Sequence, residues 1–144
     1  MYKYFKTSLF LLLITLVGCN DGEEPISEID NPELVTVAFF NALYNEKDIT
    51  KAASVCSPKL ARIILHYKSA KAVGRHLFNM SYDKVEITPD DTGVKVREQF
   101  KNKAVITVYF NGVYHDDNIK DVKRVSLLQV EDKWVIEKIL KDPF

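Results

Sequence analysis

What this chain lacks narrows it first. Only five glycines occur in 144 residues, and none sits in a loop of the kind that cradles phosphates, so nucleotide binding has no support. Charge of one sign does not dominate either. Twenty Lys and Arg balance twenty Asp and Glu, and dispersed bases do not make the one-sided footprint of a nucleic-acid partner. No apolar run approaches the roughly 20 residues that cross a bilayer as a helix. Repeats and low-complexity tracts are absent. Two cysteines, Cys19 and Cys56, exclude a disulfide framework. His115-Asp116-Asp117 offers three metal-ligand types, but adjacent positions lack the spacing of a metal site. No metal or cofactor is implied.

What is there begins with an address. Lys3 and Lys6 precede an apolar stretch from Leu9 to Val17, broken once by Thr15, and small Gly18 stands before Cys19. A positive start and an apolar run of half a membrane's width suit a signal peptide. Leu16-Val17-Gly18-Cys19 resembles the lipobox of bacterial lipoproteins. The resemblance implies that residues 1–18 are removed, that the Cys19 thiol takes a diacylglyceryl group, and that the new amine is acylated, with palmitate for example. Two or three acyl chains at about 0.8 kcal/mol per buried methylene hold a protein on a membrane without a spanning helix. The plainer alternative is an ordinary secretory signal, with Cys19 a free or disulfide-bonded thiol.

The expected localisation is the cell envelope. Residue 20 is Asn, not the Asp that keeps enteric lipoproteins at the inner membrane, so the periplasmic face of the outer membrane is favoured. The acidic run after Cys19 also resembles surface-export signals, which leaves surface exposure open. Residues 19–31 carry five acids and no base, with Gly and Pro, and read as a flexible tether. Residues 32–144 read as one domain. From Leu34 onward it is mildly basic, with 18 basic residues against 14 acidic ones.

Within that domain, Asn31 and Pro32 suit the cap and first position of a helix. Its stripe is Val35, Phe39, Ala42 and Leu43, widened by Ala38 and Phe40. Asp48 caps a short helix that buries Ile49, Ala52, Ala53 and Cys56. Ser57-Pro58 opens a third, with Leu60, Ile63, Ile64 and Tyr67 inward. The helical pattern resumes after Ser69 through Val73, Leu77 and Met80, with or without a break near Lys68. Then the period becomes two. Val85 and Ile87 alternate with charges. Pro89 to Gly93 is a turn, and Val94, Val96, Glu98 and Phe100 share a strand face. Lys101-Asn102 suggests a tight hairpin. A long strand from Lys103 to Tyr114 follows, then a loop from His115 to Asp121, and a hairpin that ends in "WVIEKIL". Helices first and about five antiparallel strands after them predict an α+β fold, with helices on one face of a curved sheet.

"VAFFNALYNEKDITKAASVCSP" and the closing "LLQVEDKWVIEKI" resemble the nuclear transport factor 2-like (ketosteroid isomerase-like, cystatin-like fold) superfamily over residues 32–141. The resemblance implies a cone of sheet and helices whose mouth binds a small apolar ligand. It also allows a homodimer through the sheet. Members of that superfamily are enzymes, binders or partners, and fold does not choose among them.

The residues support a binding module for a small molecule or an envelope protein, with no catalysis assigned. Phe40, Tyr44, Tyr109 and Trp134 are the candidate pocket, and Cys19 is the lipidation site. The enzymatic alternative is an isomerase or dehydratase. Glu98 shares a face with Val94, Val96 and Phe100, where desolvation would raise a carboxyl pKa and make it an acid or base, with Tyr109 and His76 as hydrogen-bonding groups. A structural or inhibitory partner of another envelope protein is the third reading. His66 falls with Lys59 and Arg62 on a solvated helix face, and Cys56 on an Ala-rich stripe is unsuited to nucleophilic catalysis.

Overall fold

The computed structural model describes residues 25–90 and 102–141. Among them, helices come first and strands second. The helices are α1 (Pro32–Tyr44), α2 (Ile49–Ala53), α3 (Pro58–His66) and α4 (Ala70–Val73), which runs on as a π-helical turn, Gly74–Phe78. The strands are β1 (Lys84–Pro89), β2 (Lys103–Tyr114), β3 (Asp117–Val130) and β4 (Lys133–Ile139). They form one antiparallel meander in the order β1-β2-β3-β4. The fold is α+β, with helices against one face of an open sheet. The sheet has four strands among the described residues where about five were expected. The expected strand over Val94, Val96, Glu98 and Phe100 lies outside the described residues.

Local chemistry starts each helix. The Asn31 side chain accepts from the Glu33 and Leu34 N–H groups, and Pro32 follows it. Asp48 accepts from Lys51 N–H, and Ser57 from Leu60 N–H ahead of Pro58. Such caps stabilise a helix by about 1 kcal/mol each. Lys68 ends α3 in the left-handed region at φ 60°, and Ser69 caps α4 by accepting from Ala72 N–H. The helical pattern therefore breaks at Lys68.

Both described hairpins turn on two residues at positive φ. His115 and Asp116 stand at 50° and 68°, Glu131 and Asp132 at 50° and 63°. These angles match the right-handed twist of paired strands. The first turn corrects the expected loop from His115 to Asp121. Tyr114 pairs with Asp117, and Asn118 through Asp121 lie in β3. On β2, Ala104, Val108 and Phe110 are buried, as alternation predicts.

The core joins α1 to the sheet. Phe39, Phe40, Leu43, Val108, Phe110, Val125, Leu127 and Ile136 are all at most 1% exposed. Phe40 meets Phe110 edge-on at 4.9 Å, and Phe39 at the same distance. Each such side chain gives about 1.5–3 kcal/mol on burial. Cys56 is buried as expected and lies just past the end of α2. There Ser57 N–H donates to Ile136 O and Ile136 N–H to Val55 O, both at 2.8 Å, which ties the helical layer to β4. At the other end of the sheet, the Asn45 amide donates to Val85 O and accepts from Val85 N–H.

Two expectations shift. Ile63 points outward on α3, where Leu60 and Ile64 fill the inward side. The stretch read as tether ends inside the fold. Ile26 opens a single 3-10 turn, Ile26–Glu28, and is buried in the core, and Glu28 pairs with Lys133 at 2.7 Å.

Candidate functional site

A pocket of about 610 Å³ opens beside the C-terminal end of α1. Three chain reversals build it. Lys47, at φ 60°, turns the chain out of α1 toward Asp48. Lys68 turns it out of α3 into α4. Asn79, at φ 54°, ends the π-helical turn and sends Met80, Ser81 and Tyr82 along the wall toward β1. Gly74 is required at the floor. A Cβ there would lie 2.9 Å from the Met80 carbonyl oxygen and 3.1 Å from Tyr44 Cε1. Tyr114 and His115, from the β2–β3 turn, complete the lining.

The walls are apolar and the charges are lopsided. Leu43, Ile49, Ala70 and Met80 line the interior, while Lys47, Lys68 and Lys71 face one acid, Asp83. The Asp83 carboxylate already accepts from His115 N–H at 2.8 Å. Lys47 donates to the Tyr82 carbonyl at 3.2 Å. Burial lowers the pKa of Lys47, and the Asp83 charge opposes that shift. The local sequence extends the asymmetry. From Ile49 to Tyr82 there is no Asp or Glu, against Lys51, Lys59, Arg62, Lys68, Lys71 and Arg75.

Two phenols line the pocket, with a carboxylate behind them. Tyr82 donates to Asp121 Oδ2 at 2.5 Å. Burial first, then the hydrogen bond and charge of Asp121, push the Tyr82 pKa far above the ordinary phenol value. Burial and the Asp121 charge do the same to Tyr44, whose ring meets that of Tyr82 edge-on at 5.2 Å. Both stay protonated and serve as donors, not bases. The Tyr44 hydroxyl is buried without a hydrogen-bond partner among the described residues. Such an orphan costs about 1–3 kcal/mol unless a partner arrives.

Of the candidate pocket residues, Tyr44 alone lines this cavity. Phe40 is beside it in the core, with ring centroids 6.4 Å apart. Tyr109 is corrected: it is 45% exposed on the outer face of β2, because strand alternation that buries Val108 and Phe110 must turn it outward. Trp134 is half-buried on β4, away from the lining. His76 is exposed on the π-helical turn and stacks on Tyr67 at 6.0 Å. It therefore does not meet Tyr109 in a shared site. Glu98 and Cys19 lie outside the described residues. His66 is exposed beside Lys59 and Arg62, as expected. The Cys56 thiol, pushed up to about 12 by burial, is held unreactive.

Sequence reasoning missed Lys47, Lys68, Lys71, Tyr82 and Asp121. The acid-free run was the available signal for Lys68 and Lys71. Asp121 fell within the expected loop. Comparison with family models, curated proteins and solved structures finds no match.

Proposed function

We propose that this chain is a lipid-anchored envelope protein whose domain binds a small molecule with an apolar body. The observation that carries the reading is the pocket at the end of α1. Its volume of about 610 Å³ falls in the usual range for ligand sites, and its walls are apolar with a few polar groups. The lipobox-like Leu16-Val17-Gly18-Cys19 supports the anchor, with the outer membrane as the favoured location. Helices laid on one face of an antiparallel meander are compatible with the nuclear transport factor 2-like cone.

Two experiments test the halves separately. Metabolic labelling with radiolabelled palmitate should mark the wild-type chain and not Cys19→Ala, and that variant should leave the membrane fraction. Equal membrane partition of both would end the anchor reading. For the pocket, the neutral probe N-phenyl-1-naphthylamine should bind with increased fluorescence, and Ser81→Trp, which fills the cavity from its wall, should abolish the signal while circular dichroism stays unchanged.

A further inference from the structure

We infer that the pocket selects an anionic amphipath: a negatively charged head held by Lys47, Lys68 and Lys71, with its apolar body against Leu43, Ile49 and Met80. This rests on the pocket being a binding site and names the class of ligand. The charge count at the lining leaves an excess of cations. Asp83 is the one lining acid among the described residues, and its carboxylate is engaged by the His115 N–H. No carboxylate among the described residues pairs with Lys68 or Lys71.

The 49–82 stretch that forms α2, α3, α4 and the π-helical turn adds bases and no acid. A cleft with one sign of charge and low-dielectric walls concentrates counter-ions of the other sign. Deep in the wall, the orphan Tyr44 hydroxyl adds a neutral donor at the Gly74 floor. An apolar ligand alone would leave that hydroxyl without a partner and the Lys68 and Lys71 ammonium groups without a counter-charge among the described residues. An amphipath with oxygen acceptors satisfies them. Such a head occurs on free carboxylates and on anionic membrane lipids, and the chemistry that recognises it is the same.

A matched pair of probes tests this on the full chain carrying Cys19→Ser, which takes no lipid. 8-Anilinonaphthalene-1-sulfonate differs from N-phenyl-1-naphthylamine by its sulfonate. The sulfonate should bind more tightly, lose affinity with rising salt, and weaken roughly tenfold in Lys68→Gln/Lys71→Gln, while the neutral probe is unmoved. Ser81→Trp should abolish both. Equal affinities, with the lysine changes inert and Ser81→Trp still effective, would overturn the anionic head and leave the binding site standing. Binding untouched by Ser81→Trp would remove the site and this inference with it. Two further arms separate the sources. Displacement of the sulfonate probe by sodium octanoate points to a free amphipath. Flotation with phosphatidylglycerol but not phosphatidylcholine vesicles, lost on the same lysine changes, points to a bilayer lipid.

Discussion

Tyr82 and Asp121 meet through a hydroxyl-to-carboxylate hydrogen bond although 39 residues separate them in the chain. The bond fastens the segment entering β1 to the middle of β3, and it fixes the ring that backs the pocket. We expect Tyr82→Phe to lower stability by about 1–3 kcal/mol, because the carboxylate then loses a charge-assisted partner. Asp121→Asn, which keeps an oxygen acceptor, should cost less than Asp121→Ala. Urea midpoints at constant slope would measure both.

Gly112 makes that contact feasible. It lies on β2 opposite Val85, and a Cβ there would stand 2.6 Å from Tyr82 Cδ1 and 2.7 Å from the Lys84 carbonyl oxygen. A backbone oxygen cannot swing away. Gly112→Ala should therefore destabilise by about 1–3 kcal/mol, the usual range for overpacking, and displace Tyr82. Thermal melts would read the first effect, and reduced binding of the neutral probe the second.

Alkaline pH should unfold the protein from a defined starting point. The Cys56 thiol is raised from 9.0 to about 12, and the Tyr44 and Tyr82 phenols are raised above 10.0, each chiefly by burial. The unfolded chain ionises first and releases the protons, so stability is intact below pH 9 and falls as pH rises. Between pH 9 and 12, Cys56 alone contributes a slope approaching about 1.4 kcal/mol per pH unit. In Cys56→Ala, urea denaturation across this range should show a shallower decline that begins near pH 10. An unchanged profile would mean that the thiol titrates normally.

Thiol chemistry gives a quicker check on the same burial. In the Cys19→Ser chain, Cys56 is the remaining cysteine, and its Sγ donates to Ala52 O at 3.4 Å inside the helical layer. Ellman's reagent at pH 8 should leave it unmodified for many minutes and react at once in urea. Fast reaction of the folded chain would contradict its place beneath α2 and β4.

Much of the fold was legible because its signals are local. Asn31, Asp48 and Ser57 are caps beside the helices they start, and the alternation of β2 needs only the strand's own residues. The turn at His115-Asp116 was not legible as a turn, since neither residue is Gly or Asn and both take positive φ. The parity that exposes Tyr109 was available, since it stands at an odd step from Ala104, Ile106, Val108 and Phe110 along the strand. The pocket is another matter. It arises where α1, α4 and the segment before β1 converge, and no single periodicity encodes that meeting. The basic surround could be read, but a balanced total of 20 and 20 conceals an acid-free stretch.

Among the described residues, the two outer strands share a feature that bears on self-association. Val85 turns an N–H and a carbonyl away from β2, and the Asn45 amide takes both. Ile136 turns the same pair away from β3, and Val55 and Ser57 take them. A sheet rim with free backbone groups is a template for another chain, and natural proteins cover it. Here a short helical-layer contact covers the start of β1 and the middle of β4, so a second molecule cannot extend the ladder along the full length of either strand. Strand-on-strand growth is hindered at both described rims by a handful of hydrogen bonds, which leaves the outward surface that carries Tyr109 as the open face of the sheet.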